Sequence, residues 1–487
     1  MTEALVSRAW IRATLLAGVA MLLGVLAARH PSYALAVAAV LVVTLLAFLA
    51  PVTHMTILLA LTAIVPYSVA DAYHVGGGGT GNSGLQVSDL FLLTGFLRAA
   101  LILPRLRLSR RQLTTVALVA IACAFTLFQA WQGLRAHQPL SEVGAEFRAL
   151  GGGFAFALIA MTALADRGAQ PRVAKALGVL GLAVGLFGIA QWFAGTSFNG
   201  TDFGVRAGVS LTSGGVGQLQ GGLFAFPVAV VLCTAVLASG TLKDGRARLF
   251  VVGVLVLNLV SLLLTFERTA WVATIAAILV VGIRLRPGRR IRMALILAVC
   301  CIIGVSTLAV VSPSTFQTAE QRLLSIGQYK TDPSVRYRSV ESGFVLAKIR
   351  AKPLLGWGLG DTIYWGQPWN DVPPSAESYT HVGYLWLAWH EGLLGAAVLI
   401  LLLALSAAWP GRARGGSMVD AVRNGAQAAL LALLIMNVTF PVFHQGSQAD
   451  YTMGFLIAYC ALPVIARQVR SPARDAGRAE AAVATAA

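Results

Sequence analysis

Charge is scarce in this chain. Of 487 residues only 12% are Asp, Glu, Lys or Arg, while 57% are hydrophobic. A soluble domain carries about a quarter charged residues. The mean hydropathy of +0.75 therefore excludes a water-soluble enzyme and describes a polytopic membrane protein. Acidic residues are scarcest, 20 against 37 basic, giving a net charge of +17. That excess does not imply nucleic acid, because most Lys and Arg stand in short clusters between apolar runs, where topology accounts for them. Cysteine is also sparse. Cys123, Cys233, Cys300, Cys301 and Cys460 all fall inside apolar runs, which argues against a disulfide framework or a thiolate metal centre. The Gly-rich stretch 75–84 lacks a following Lys-Ser/Thr and is a linker, not a phosphate-binding loop. Neither an internal repeat nor a matched pair of Gly/Pro-broken spans relates the two halves, which argues against a carrier.

The apolar runs predict an all-α fold, a polytopic transmembrane helix bundle. With roughly 20 residues needed per span, about fourteen candidates emerge. They lie near 11–28, 33–50, 54–70, 86–103, 113–131, 149–165, 174–193, 218–239, 249–265, 269–283, 293–311, 383–408, 425–441 and 450–466. The first run has no cleavage pattern and is read as a span. Alternate loops carry the basic clusters: Arg105 to Arg111, Arg167 to Lys175, Lys243 to Arg248, Arg284 to Arg292, and Arg412 to Arg423. With fourteen spans all five fall on one side, which the positive-inside rule makes cytoplasmic together with both termini. Arg29, Arg135, Arg148, Arg206 and Arg268 are exceptions on the opposite face. The chain thus divides into spans at 1–311, an extracytoplasmic loop at 312–382, further spans at 383–466 and a disordered cytoplasmic tail at 467–487.

The long loop, from Ser312 to His381, is the one extended polar segment. Asp332-Pro333-Ser334 is a helix start, and Pro353 a stop, predicting a helix to Lys352 of roughly 30 Å. Val335, Phe344, Val345, Ala347 and Ile349 form a broken apolar stripe suited to the membrane surface, where Lys348, Arg350 and Lys352 would hold it. Arg338 and Glu341 are one turn apart, so they can pair. Three glycines in PLLGWGLG, Gly356, Gly358 and Gly360, allow close backbone approach. Tyr364, Trp365, Trp369 and Tyr379 suit either an interfacial belt or stacking on sugar faces. Histidine is the side chain best suited to general-base work at neutral pH, which makes His381 a candidate, but a membrane surface also holds histidines without that role. His390 and Glu391 lie two turns deeper, as supporting or cavity-lining groups. Asp361, Asp371 and Glu377 lack a metal-ligand spacing.

The succession of a T-x-x-R turn at Thr265 to Arg268, an arginine fifteen residues before Pro353, PLLGWGLG, and H-x2-Y-L-x6-G-L-L-G from His381 resembles the bacterial O-antigen ligase and O-antigen polymerase family. Arg206, in GVRAGVSLTSGG, resembles a further arginine element of the family. Glu267 stands where the family usually has serine, and Val382 where asparagine commonly follows the histidine. The resemblance implies glycosyl transfer on the extracytoplasmic side of the bacterial inner membrane. The donor would be a glycan on undecaprenyl pyrophosphate, and the acceptor another glycan, a lipid or a protein. On that reading His381 and Arg338 are catalytic, and Arg206, Arg268 and Arg336 bind the pyrophosphate, because guanidinium stays charged and grips phosphate oxygens in pairs. No cofactor and no metal are expected. A lipid-linked oligosaccharide transporter is the rival, but it would place charges along a path within the spans. A peptidoglycan-type polymerase would differ in taking a muropeptide donor. Nothing in the chain points to a lipid A acceptor, which tilts the reading toward polymerisation.

Overall fold

The computed structural model describes residues 31–64, 86–165, 168–194, 205–206, 218–219, 223–324, 327, 333–367, 372–408, 417–443 and 447–462. They form sixteen helices and two small antiparallel hairpins. The helices are α1 (Pro31–Leu49), α2 (Pro51–Ile64), α3 (Val87–Ile102), α4 (Arg110–Arg135), α5 (Leu140–Leu164), α6 (Ala169–Ala194), α7 (Ala225–Ser239) and α8 (Gly245–Leu264). They continue with α9 (Arg268–Ile283), α10 (Pro287–Val311), α11 (Pro313–Leu324), α12 (Pro333–Ala351), α13 (Gly383–His390), α14 (Gly392–Ala408), α15 (Met418–Met436) and α16 (Ser447–Ala461). Strands β1 (Val205–Arg206) and β2 (Gln218–Leu219) form one hairpin, and β3 (Ile363–Gln367) and β4 (Val372–Glu377) the other.

Local chemistry sets many boundaries. Proline opens α1, α2, α10, α11 and α12, where its missing N–H costs nothing. Ser109 and Gln112 cap α4 reciprocally, and the Asp244 carboxylate accepts from Arg246 N and Ala247 N to start α8. Seven helices among the described residues are long and apolar enough to cross a membrane, and five shorter apolar ones accompany them. The expected span at 11–28, the glycine linker at 75–84 and the tail at 467–487 lie outside the described residues. The two hairpins were not anticipated; β3–β4 takes up the aromatic stretch after PLLGWGLG.

The bundle has an inside and a lipid-facing outside. The most apolar window of α5 is 78% buried, whereas that of α10, the most apolar window among the seven long spans, is only 17% buried. A helix with that much uncovered Leu, Ile and Val has lipid as its solvent, so the protein is multi-pass. In the interior, α5 and α16 meet through glycine: a Cβ on Gly454 would stand 2.3 Å from the Gly153 carbonyl oxygen. Such contact without side chains is how membrane helices gain packing energy.

The bundle also has two unlike ends. At one, Arg284, after α9, donates to Asn424 and Gln427 on α15 and to the carbonyl of Ala407 on α14, while Thr241, after α7, meets Met418. Basic clusters separated widely in sequence thus share one end. At the other, the C-terminal turn of α15 joins two remote segments: Asn437 O accepts from Gly383 N, and Thr439 hydrogen-bonds Thr269 beside Arg268.

Candidate active site

The expected helix at 332–352 is present as α12, and its face is set by a repeat of four. Tyr337, Glu341, Val345 and Ile349 lie along one side, with Glu341, Val345 and Ile349 buried. That stripe packs on protein, chiefly α13, so Val345 and Ile349 do not serve the membrane surface; Val335, Phe344 and Ala347 are the exposed members of the expected stripe. Lys348 is likewise no surface anchor, because its Nζ lies 2.8 Å from Asp361 Oδ2. Lys352 stands 3.9 Å over the ring of Trp357, and Arg350 is exposed.

PLLGWGLG is the splice that fixes α12 to the bundle. Gly356, Gly358 and Gly360 all have φ between 68° and 88°. A Cβ on Gly356 would fall 2.5 Å from His390 O, and one on Gly358 would fall 2.7 Å from Gly133 N. Only glycine meets both demands. The backbone bonds are used up along the segment: Trp357 N donates to Trp389 O, Gly358 N to His390 O, Leu359 N to Gln129 O and Gly360 N to the Glu146 carboxylate at 2.6 Å. Gln129 and Gln132 of α4 donate to the carbonyls of Leu355 and Gly356. Beneath it, Asp361 receives Trp389 Nε1 at 2.7 Å and Gln138 Nε2 at 3.4 Å, as well as Lys348. The signature is a structural clamp, and its glycines contact protein backbone.

What the clamp positions is His381, just before α13. Its Nδ1 lies 3.1 Å from Glu341 Oε1, and its backbone N donates to Glu341 Oε2 at 3.0 Å. Glu341 is 1% exposed, whereas the His381 side chain is 28% exposed. The rings of Tyr337 and Tyr379 stand edge-on to the imidazole at 5.1 and 4.9 Å, and Tyr337 also meets Trp365. A carboxylate on Nδ1 requires the proton there, and so leaves Nε2 as the lone-pair nitrogen. Among the described residues Nε2 has no hydrogen-bond partner. The expected Arg338–Glu341 pair does not form, because Glu341 is committed to His381. Arg338 sits one turn earlier, half-buried, with a buried Nε that has no hydrogen-bond partner among the described residues. Sequence reasoning missed the service of Glu341 to His381; the signal was an acid on the buried repeat of a basic helix.

The other expected residues come from separate segments. Thr265 ends α8, its hydroxyl donating to Leu262 O and accepting from Glu267 N. Phe266 adopts a left-handed φ of 50°, and Arg268 is then the first residue of α9. Such backbone strain in a non-glycine residue is a mark of a constrained site. The link through Thr269, Thr439, Asn437 and Gly383 sets the Arg268 turn at the same end of the bundle as His381. Arg336 is exposed on the first turn of α12. Arg206 lies in β1, its backbone paired with Gln218, and its side chain is outside the described residues. Of the exceptions to the basic-loop pattern, Arg148 is 3.0 Å from Asp89 and Arg135 stacks on Trp131, so both have structural partners.

No group of three or more His, Cys, Asp and Glu side chains converges in a metal-holding arrangement among the described residues. Asp361 is occupied by its three donors, Glu377 is in β4, and Asp371 is outside the described residues.

No curated protein matches the chain. Residues 253–400 match the family model described as O-antigen ligase, a segment that contains Arg268, Arg338, Glu341, PLLGWGLG and His381 and leaves Arg206 outside. Through that segment, which is less than half of its length, the chain is similar to the O-antigen ligase family.

Proposed function

We propose that the chain joins glycans on the extracytoplasmic face of a bacterial inner membrane, taking the donor glycan from undecaprenyl pyrophosphate. The likeness of residues 253–400 to the O-antigen ligase family supports a membrane glycan transferase of polysaccharide biosynthesis; the donor, the face and the residue roles are this reading's own. The observation that carries it is the buried Glu341 carboxylate on Nδ1 of a partly exposed His381. The gathering of basic clusters at the far end of the bundle supports an extracytoplasmic site, about fourteen spans and cytoplasmic termini.

In this mechanism the acceptor hydroxyl lies against His381 Nε2. As its oxygen bonds to the anomeric carbon of the donor, Nε2 takes the hydroxyl proton, and the bond from that carbon to the pyrophosphate oxygen breaks. Glu341 keeps the ring in the productive tautomer and stabilises the imidazolium that forms. The pyrophosphate leaves with its negative charge held by Arg338, with Arg268, Arg206 and Arg336 as further cations. Guanidinium groups in these places remove the need for a divalent ion. Tyr379, edge-on to the imidazole and partly exposed, provides a face for a sugar ring, whereas Trp365 is buried behind Tyr337.

The test is a deletion strain complemented with Arg338→Ala and examined for surface glycan. Loss of transfer at normal protein level in the membrane is expected, along with activity of the wild type in excess EDTA. In the deletion strain itself, single repeats in place of long chains identify a polymerase, and free long chains a ligase. Normal glycan from Arg338→Ala would remove that residue from the site.

A further inference from the structure

The basic end of the bundle, opposite His381, carries an open cavity of about 540 Å³ bordered by Pro51, Thr53, Arg98, Thr162, Arg172 and Ala176. Four helix ends meet around it. Pro51 opens α2, Arg98 is in the last turns of α3, Thr162 closes α5, and Arg172 is in the first turn of α6. Ends of spans lie at the level of lipid phosphates, not at the hydrocarbon centre.

The two arginines are under-neutralised. Arg98 donates to Thr162 Oγ1 at 3.1 Å, and Arg172 to Gly168 O at 3.3 Å. Neither has a carboxylate within ion-pair distance among the described residues, in contrast to Arg148 on Asp89. A partly buried guanidinium on an apolar span, as at Arg98, is expensive unless it meets an anion, while Arg172 faces the cavity end from an exposed first turn, and each has several donors left for an anion. The first turns of α2 and α6 add the positive ends of two helices. The volume is many times the roughly 30 Å³ share of a water molecule, so it accommodates a headgroup. Apolar walls from Leu49, Ile57 and Ala163 suit the glycerol and upper acyl chain that follow.

We propose that this cavity seats the phosphodiester headgroup of an anionic membrane lipid, gripped by Arg98 and Arg172, which ties the α1–α2 junction to α3, α5 and α6. The site is remote from His381 and does not depend on the transfer mechanism.

Native mass spectrometry of the full-length protein, released from micelles containing equal phosphatidylglycerol and phosphatidylethanolamine, tests it. Selective retention of phosphatidylglycerol is expected. The double variant Arg98→Gln, Arg172→Gln should lose it by about 10- to 30-fold, as two basic groups near a phosphate contribute about 1 kcal/mol each. Ala176→Phe, which fills the cavity and keeps both charges, should lose it as well, while Arg105→Gln, exposed on the same end, should not. Equal retention of both lipids, undiminished phosphatidylglycerol in the double variant and in Ala176→Phe, or an equal loss in Arg105→Gln overturns the proposal. Displacement of phosphatidylglycerol by millimolar inorganic phosphate would assign the cavity to a soluble anion and overturn the lipid assignment.

Discussion

Two histidines nine residues apart in sequence each stand beside a carboxylate, yet the chain uses them in opposite ways. His390 is fully buried, with Nδ1 3.2 Å from Trp386 O, Nε2 3.1 Å from Asp361 O, and Glu146 at 3.7 Å. Both its nitrogens are occupied by protein. His381 has Glu341 on Nδ1 and nothing on Nε2 among the described residues, and part of its ring is open. A carboxylate neighbour therefore does not distinguish a reactive histidine from a structural one. The open nitrogen and a route to it do.

The largest effect that would break this comparison comes from His381→Ala. Loss of a general base should lower glycan transfer by about 10²- to 10⁴-fold, with membrane yield unchanged and about 1 kcal/mol of stability lost, because Glu341 keeps the backbone N–H of that position. His390→Ala should do the reverse. It strands the Asp361 carbonyl and opens a hole beside Trp386 and Trp389, costing about 2–4 kcal/mol of stability. Activity per folded molecule should stay within a few-fold of wild type. Transfer assays paired with thermal melts of both variants separate the two histidines; the same pattern in both would mean that they belong to one unit.

The carboxylates sharpen the contrast. Glu341→Gln keeps a group of the same shape against His381 but no longer holds a defined charge on Nδ1. A fall of roughly 10- to 10⁴-fold in kcat is expected, the range from outer-shell partners of metal-bound histidines to a carboxylate that holds a general-base imidazole, with KM little changed. Glu146→Gln should leave kcat alone and lower stability by about 1–2 kcal/mol, because the Gly360 N–H keeps an acceptor there. Equal kcat losses in the two would assign Glu341 a packing role.

Much of this arrangement was legible in the sequence. Apolar runs interrupted by basic clusters marked a helix bundle with one basic end, and proline at Pro333 and Pro353 bracketed α12 to within a residue of its bounds. The purpose of PLLGWGLG was visible only in part: three glycines announce close approach, but not that the approach is to α4 and the α13–α14 junction. Pairings across long sequence separations were hidden. Gln129 with Leu355, Glu146 with Gly360 and Thr269 with Thr439 depend on which spans are neighbours, and hydropathy does not encode that. Within α12, one-turn spacing suggested Arg338 for Glu341. The tertiary partner won, because Glu341 is on the buried face and His381 offers it both a ring nitrogen and a backbone N–H.

The smallest effect is expected at Lys348, where the two possible uses of a basic residue on α12 give different outcomes. A lysine that holds the helix to lipid acts through charge at the surface, so Lys348→Met would weaken association of α12 with anionic membranes and leave the melting point alone. A lysine that closes the clamp acts through Asp361. That ion pair is partly exposed, with 26% of the lysine side chain accessible, so solvent screening limits its worth to about 1 kcal/mol. Asp361 also keeps Trp389 and Gln138 after the change. Lys348→Met is therefore expected to lower stability by about 1 kcal/mol, and the double variant Lys348→Met, Asp361→Asn should cost less than the sum of the two single changes. Strict additivity in that cycle would return Lys348 to the membrane surface and leave the glycines and glutamines of the splice to hold α12 alone.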